Sequence, residues 1–202
     1  MNAILRTDAG NPENQDRGLV LDRGSKLVLC IADGAGERSG GREAAIKAVQ
    51  WIRECAMSLT DINPCLHALR QLDEALESDV DAGETTCVIA VVEDGNVYGA
   101  SAGDSGAWLV RPGGIVDLTK NQVRKPFLGS GCICPVAFMH ACEHGEHLIL
   151  ATDGLLKYAS PSQIGEVCRL NEIEQIPERL IGLVRSRFGA LPDDTTVISL
   201  RI

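Results

Sequence analysis

The sequence predicts an α+β fold with antiparallel sheets, and three observations carry that prediction. Apolar strand-like segments come in pairs that short turns separate, which is the pattern of β-hairpins. Segments with helical periodicity are grouped and do not alternate one for one with strands, which disfavours a doubly wound parallel sheet. The 202 residues are 45% hydrophobic, contain no repeat or low-complexity tract, and suit one domain spanning residues 1–202.

The first elements are a hairpin and two helices. The strands of the hairpin are GLVLD at 18–22 and KLVLCIA at 26–32. From Ser39 to Leu59 the apolar residues recur at helical spacing, and the charged residues fall largely on the opposite face. Pro64 opens a second predicted helix, PCLHALRQLDEALES, because proline suits a first helical turn.

A second set of strands and helices follows. Asp94-Gly95 predicts a hairpin turn between TTCVIAVVED and NVYGASAGD, and RPGG predicts another within GAWLVRPGGIVDLT. HLILATDG is a further apolar strand that ends on Asp-Gly, and DDTTVISLRI closes the chain as a β-branched strand. Helices are predicted in SPSQIGEVCRL and in EIEQIPERLIGLVRSRF, where Pro177 leaves the boundary open.

The composition is acidic and predicts no membrane span. A net charge of −9 would repel nucleic-acid backbones and anionic lipid, so neither is an expected partner. A substrate phosphate would also be repelled unless cations lie close to it. The sequence has no run of about 18 apolar residues, and its start lacks the basic and apolar parts of a secretory signal. A cytoplasmic location is therefore expected.

The eight cysteines are expected to be reduced thiols, because no secretory signal directs the chain to an oxidising compartment. One cluster, CICPVAFMHACEH, has two interpretations. It could bind zinc, although the paired-cysteine spacing of common zinc sites is absent. Alternatively, its polar side chains alternate along an extended segment as buried strand residues, and this interpretation is favoured. The residues concerned are Cys132, Cys134, His140, Cys142 and His144.

Aspartates stand where predicted strands meet loops. Asp33 and Asp153 end apolar strands and precede glycine, Asp104 ends VYGASAG, Asp193 precedes the last strand, and Asp16 lies at the entrance of the first. If these strand ends gather at one rim, the carboxylates raise each other's pKa, and divalent cations relieve their repulsion. All-oxygen ligands suit Mg²⁺ or Mn²⁺, and two such ions can activate a bridging water. The alternative is that these aspartates and glycines only form turns.

Taken in order, several segments resemble motifs of the metal-dependent protein phosphatases, the PPM or type 2C family. They include the first acidic motif, the Asp-Gly-x-Gly-Gly motif, the Gly-Asp-Ser motif and the closing acidic strand. Each is weak alone, but the ordered set is specific and covers residues 8 to 202. The segments are NQD at 14–16, ADGAGERSGGREAA, GETTCVIAVV, SAGDSGAWLV, FLGSG, LILATDGLLKYAS and PDDTTVISL.

The resemblance implies a four-layer α-β-β-α sandwich with two central antiparallel sheets and a binuclear Mn²⁺ or Mg²⁺ centre at one rim. Asp33 would bridge the two metals, and the Gly34 carbonyl would be a further ligand. Asp16 would bind directly or through water, and Asp104 with Asp153 matches a position that supports a third metal in bacterial members. The implied metal ligands are Asp16, Asp33, Gly34, Asp104, Asp153 and Asp193, with Asp33, Asp153 and Asp193 as the catalytic set.

Departures from the family pattern concern the substrate side. Many members carry an arginine before the acidic motif to hold the substrate phosphate, whereas GNPEN here carries Glu13. Arg17 and Arg38 are candidate replacements, although Arg17 also fits a surface charge beside a strand. Ala35 stands where the family often has His or Met, so a histidine general acid is absent there. Asp194 replaces asparagine, and the flap segment LTKNQVRKPFLG is very short.

Two classes of function stay open. The leading hypothesis is a compact bacterial-type protein phosphatase that hydrolyses phosphoserine or phosphothreonine with a water activated at the metals. Its partner would be a phosphoprotein, with targets of bacterial Ser/Thr kinases as one candidate class. The alternative is a regulatory or binding module with little or no turnover, which the missing arginine and the short flap motivate. A phosphatase for small phosphate esters is a third, weaker hypothesis.

Overall fold

Two antiparallel sheets lie at the centre of the computed structural model, which describes residues 2–35 and 40–202. The strands are β1 (Ala3–Asp8), β2 (Asp16–Asp22), β3 (Lys26–Ala35), β4 (Glu84–Thr85), β5 (Cys87–Glu93), β6 (Asn96–Ala102), β7 (Gly106–Arg111), β8 (Gly114–Asp117), β9 (Val136–Ala141), β10 (His147–Ala151) and β11 (Thr195–Arg201). The helices are α1 (Gly41–Cys55), α2 (Ile62–Glu77), α3 (Asp153–Leu156), α4 (Pro161–Leu170) and α5 (Ile176–Val184), with a short 3-10 helix at Ala56–Ser58.

The strands are ordered β1-β11-β10-β7-β8 in the first sheet and β2-β3-β5-β6-β9 in the second, where β4 also pairs with β3. One apolar cluster lies between the two sheets. A second packs α1 and α2 on the outer face of the second sheet, and a third packs α3, α4 and α5 on the outer face of the first. The predicted α+β class with antiparallel sheets and the implied four-layer α-β-β-α sandwich are therefore both confirmed.

Strand β3 is apolar at every position from Leu27 to Ala32, and its burial explains why. Side chains alternate between the two faces of a strand. Leu29 and Ile31 point into the cluster between the sheets, whereas Val28 and Cys30 point towards α1 and α2. All four are fully buried, and burying a large aliphatic side chain contributes about 1.5–3 kcal/mol. A strand that is buried on both faces needs no polar position until it reaches the rim.

Local turn and capping signals account for most element boundaries. At the predicted hairpin turn, Asp94 and Gly95 adopt φ of 49° and 72°, as a two-residue turn between twisted strands requires. Helix α4 begins with a capping box, in which Ser160 and Gln163 exchange hydrogen bonds. Pro177 lies in the first turn of α5, which settles the boundary that the sequence left open.

Some sequence expectations need correction. Helix α2 begins at Ile62, two residues before Pro64, because Asp61 caps it by accepting a hydrogen bond from the Asn63 amide. Cys132 and Cys134 are exposed and precede β9, and His144 is exposed in a turn after it, so the interpretation as buried strand residues is wrong for these three.

The other half of that cluster lies in or beside β9. His140 is in the strand, and the half-buried Cys142 follows it. Within residues 2–35 and 40–202, no three His, Cys, Asp or Glu side chains are grouped as a preformed metal site. The zinc interpretation therefore gains no support. No helix in the same ranges is long and apolar enough to cross a membrane.

Candidate metal centre

The predicted aspartates meet at one rim of the sandwich, where strands of both sheets end. In the second sheet, β2 begins with Asp16, which pairs with Asp33 near the end of β3. In the first sheet, β10 ends two residues before Asp153, and β11 begins two residues after Asp193. Both of the latter carboxylates line the same groove as Asp33. The fold thus brings four carboxylates to the same edge.

Asp16 is the most buried of these carboxylates. It is fully inaccessible to solvent, and its Oδ2 accepts a 2.8 Å hydrogen bond from the Thr152 hydroxyl. Its Oδ1 is buried and finds no hydrogen-bond partner among the described residues. Burial raises the pKa of Asp16 from 3.8 to about 7. A buried carboxylate oxygen without a partner is costly, and a cation would remove that cost.

Asp33 lies against Asp16. Burial raises the pKa of Asp33 well above its usual range, and repulsion from Asp16, Asp153 and Asp193 raises it further. Hydrogen bonds from the GETT segment hold the backbone at Asp33. Its carbonyl accepts hydrogen bonds from the Thr85 hydroxyl and the Thr86 amide, both at 2.9 Å. A buried carboxyl beside a second, partly buried one forms a site that favours cations.

Threonines of the GETT segment therefore have a supporting role that the sequence did not disclose. The Asp33 amide donates to the Thr86 hydroxyl at 3.1 Å, and that hydroxyl lies 2.7 Å from the Ser105 hydroxyl. Through these bonds the Gly-x-Thr and Gly-Asp-Ser segments fix the backbone that carries Asp33. The only sequence signal was the recurrence of Thr and Ser inside the matched motifs.

Two basic side chains form ion pairs with Asp153 and Asp104. Lys157 forms an ion pair with Asp153 across one turn of chain, and Arg124 Nε lies 2.6 Å from Asp104 Oδ2. Burial nevertheless raises the pKa of Asp153, and Asp104 adds to that effect. Asp104 and Asp153, the pair that resembles the third metal position of bacterial members, are thus each already paired with a basic side chain.

Asp194 holds the loop that leads into the site. Its Oδ1 accepts the amides of Gly10 and Asn11 at 2.8 and 2.9 Å, and its Oδ2 accepts the Gln15 amide at 2.9 Å. An asparagine has one acceptor oxygen and an NH₂ donor, so it cannot accept on both sides. Aspartate in place of asparagine at this position therefore satisfies the backbone amides on both sides of the carboxylate. Neighbouring Asp193 accepts the Asn11 side-chain amide at 3.0 Å.

Close packing explains why a glycine follows Asp33. A Cβ on Gly34 would lie 2.5 Å from the backbone carbonyl carbon of Gly41, at the first turn of α1. Gly40, immediately before that helix, has φ of 107° and would clash with the Gly83 backbone if it carried a side chain. The sequence suggested that glycine leaves a carbonyl open to a metal. The structure adds that only glycine lets helix and strand approach so closely.

The donor set fits divalent ions that prefer oxygen. The available ligands are carboxylates and a backbone carbonyl, the Asp16 Oδ1 lacks a partner among the described residues, and the carboxyls repel one another. Within the same ranges, no three of these side chains already surround one point. Small rotations of Asp33, Asp153 and Asp193 would be part of ion binding. Their roles as ligands stay predictions.

An open groove of about 1110 Å³ runs from the rim across the surface. Its lining includes the carboxylates Asp33, Asp153 and Asp193 and the apolar side chains Leu76, Val80 and Phe127.

Of the two predicted phosphate-binding arginines, Arg17 does not line this groove, and Arg38 lies outside the described residues. Arg17 donates through Nη1 to the backbone carbonyls of Asn14 and Asp16. Among the described residues, the cations that line the groove are Arg124 and Lys125, which the sequence did not single out.

Known proteins share this architecture. The serine/threonine protein phosphatase PstP of Mycobacterium tuberculosis is 26% identical over 91% of this chain. The match covers 43% of PstP, so the chain spans less than half the length of that relative. The solved structure of the PstP catalytic domain in complex with two manganese ions superposes with a TM-score of 0.76 at 22% identity, covering 98% of this chain and 96% of that one.

A second solved structure, PppA of Pseudomonas aeruginosa, is a regulatory component of the type VI secretion system. It has a TM-score of 0.82 at 18% identity, covering 99% of this chain and 96% of that one. Residues 23–202 match the family described as Stage II sporulation protein E (SpoIIE). The chain therefore belongs to the SpoIIE family and, as its sequence motifs predict, to the metal-dependent protein phosphatases.

Proposed function

We propose that this chain hydrolyses phosphoserine and phosphothreonine in proteins, with two Mn²⁺ or Mg²⁺ ions as cofactors. One observation carries the proposal: the buried Asp16 is paired across the β2-β3 hairpin with the partly buried Asp33, which lines the groove, and one oxygen of Asp16 lacks a partner among the described residues. Such an arrangement is costly without a cation and useful with one. The relative PstP, which is a serine/threonine protein phosphatase, supports the substrate class.

Asp33, Asp153, Asp193 and the Gly34 carbonyl would hold the ions, and Asp16 would contribute its free oxygen. When bound, the ions supply Lewis-acid stabilisation of the phosphoryl oxygens and lower the pKa of water. The chain's own contribution is positioning. Thr152 orients the Asp16 carboxylate, while hydrogen bonds from the GETT segment fix the backbone of Asp33.

The described residues offer no evident donor for the proton that the leaving serine oxygen needs. Among the described residues that line the groove there is no histidine, and Ala35 occupies the position where the family often has one. We therefore expect solvent to supply that proton and the turnover number to be modest.

Hydrolysis of a phosphoserine peptide by the chain loaded with Mn²⁺ tests the proposal. Asp33→Asn and Asp153→Asn should each lower kcat/KM by more than about a hundredfold, since both are proposed ligands. Glu54→Gln, on the exposed face of α1, is the matched control and should leave the rate unchanged. Equal rates in the wild type and both aspartate variants would exclude the proposed site.

A binding module without turnover is the second candidate. The ion pairs of Lys157 with Asp153 and Arg124 with Asp104 favour it, because both cations compete with metal for those carboxylates. This candidate predicts Mn²⁺ binding by calorimetry without hydrolysis of any phosphopeptide. Measurable turnover that depends on Asp33 would eliminate it.

A further inference from the structure

The groove poses an electrostatic problem for a phosphorylated substrate. Counted over the described residues, seven acidic and two basic side chains line it. A phosphate dianion that approaches this surface is repelled, even when bound ions offset part of the charge at one end. A cation that reaches the acidic end would solve the problem. The two candidates in the lining are Arg124 and Lys125.

Arg124 already lies at the acidic end. Its Nε is 2.6 Å from Asp104 Oδ2, and its side chain is 63% exposed, so the guanidinium contacts the rim yet stays open to the groove. The Nζ of Lys125 lies 5.4 Å from the centre of the Phe127 ring, which lines the same groove. A guanidinium also presents paired N–H donors that match two phosphate oxygens, which an ammonium does not.

The backbone that carries Arg124 is fixed on both sides. Before it, the Gln122 side-chain amide donates to the Ser105 carbonyl at 2.7 Å, directly beside Asp104. After it, Leu128 and Thr85 exchange backbone hydrogen bonds of 2.9 and 3.0 Å. The short segment between these two ties has little freedom, whereas the exposed side chain of Arg124 can rotate.

Among the described residues, other basic side chains of this region are committed elsewhere. Arg17 donates to two backbone carbonyls, and Arg6 forms ion pairs with Asp8 and Glu178. Lys157 is paired with Asp153, a proposed metal ligand.

We propose that Arg124 binds the substrate phosphate and exchanges its bond to Asp104 for that phosphate when substrate enters. The inference rests on the proposed phosphatase function and names the residue that replaces the arginine missing before the acidic motif. In the absence of substrate, Asp104 holds the guanidinium in position. An arginine of the flap segment thus supplies the positive charge that the loop before Asp16 lacks.

Steady-state kinetics of the full chain loaded with Mn²⁺ test the inference. Charge-assisted hydrogen bonds are among the stronger ones. Arg124→Ala should therefore raise KM for a phosphoserine peptide, and the inhibition constant of inorganic phosphate, by about ten- to a hundredfold. The kcat should change much less. Arg124→Lys should be intermediate because it keeps the charge and loses the paired donors.

Arg23→Ala is the matched control, since Arg23 is exposed in the turn between β2 and β3, at the opposite end of β2 from Asp16. It should leave both constants unchanged. An active wild type whose constants are the same in Arg124→Ala would overturn the inference, and a loss in Arg17→Ala instead would assign the phosphate to Arg17. Thermal unfolding of each variant separates loss of folding from loss of binding.

The outcome for the proposed function stays distinct. If the wild type shows no hydrolysis, the proposed function fails, and calorimetry with phosphorylated and unphosphorylated forms of the peptide then decides the inference. Tighter binding of the phosphorylated form that disappears in Arg124→Ala supports it. Equal binding of the two forms by the wild type overturns it.

Discussion

The Thr152 hydroxyl donates a 2.8 Å hydrogen bond to Asp16 Oδ2 and so joins the two sheets at the metal rim. Thr152 follows β10 in the first sheet, and Asp16 begins β2 in the second. The same hydroxyl accepts the Thr196 amide of β11 at 2.9 Å. One buried threonine therefore fixes the position of a proposed ligand relative to strands from both sheets.

Thr152→Val tests this relationship, because valine keeps the shape and removes the hydroxyl. The variant leaves Asp16 Oδ2 and the Thr196 amide without that partner, and we expect a loss of about 1–3 kcal/mol in the free energy of unfolding. Affinity for Mn²⁺ should fall as well, since Asp16 loses its orientation. Urea unfolding and calorimetry measure the two effects. Thr60→Val, at an exposed position, is the control; equal stability of both variants would contradict the prediction.

Asp194→Asn tests why the chain departs from asparagine. Asparagine retains one acceptor, so either the Gln15 amide or the pair at Gly10 and Asn11 loses its partner. We expect the free energy of unfolding to fall by about 1–3 kcal/mol and hydrogen exchange to accelerate at the affected amides. Asp81→Asn, on the exposed surface, should show neither effect. Unchanged exchange at all three amides would show that the carboxylate is not needed there.

The position of the aspartates could be predicted from the sequence, because each one follows or precedes an apolar strand. The pattern repeats locally at Asp33 and Asp153, and antiparallel pairing places Asp16 opposite Asp33. The supporting contacts could not be predicted in this way. Thr152 and Asp16 are 136 positions apart in the chain. Periodicity describes the face of one strand, and it carries no information about which side chains of two sheets meet.

The loop after the flap shows the same limit. Asp73 is buried on α2, and its carboxylate accepts the amides of Gly129, Gly131 and Ile133. The helical pattern of α2 does not show that a carboxylate at this position accepts hydrogen bonds from backbone amides. The partners of Asp73 come from a loop more than 50 positions away in the chain.

Thiol labelling tests the corrected view of the cysteines. Cys132 and Cys134 are exposed, whereas burial raises the pKa of Cys55 to about 11 and that of Cys65 to about 12. Because the thiolate is the reactive form, we expect two thiols of the folded chain to react rapidly with a disulfide reagent near pH 8. The others should react only on unfolding. Replacing both exposed cysteines with serine should abolish the fast phase; a fast phase that survives would contradict the prediction.

The metal-free protein should become less stable as pH rises. Burial raises the pKa of folded Asp16 from 3.8 to about 7, so between these values the folded state holds a proton that the unfolded state has released. Stability then falls with increasing pH across this window, and the penalty is complete above the folded-state pKa. Thermal unfolding in the presence of EDTA measures the decline.

Asp16→Asn isolates this effect, because an amide cannot titrate. From about pH 4 to pH 7, the midpoint temperature of the wild type should fall relative to that of Asp16→Asn. This range is the window set by the two pKa values. Saturating Mn²⁺ near pH 7.5 should restore the wild type and stabilise the variant less, since the ion replaces the proton as the partner of the carboxylate. A difference that is constant across the window would show that Asp16 is ionised throughout and that its burial is already compensated.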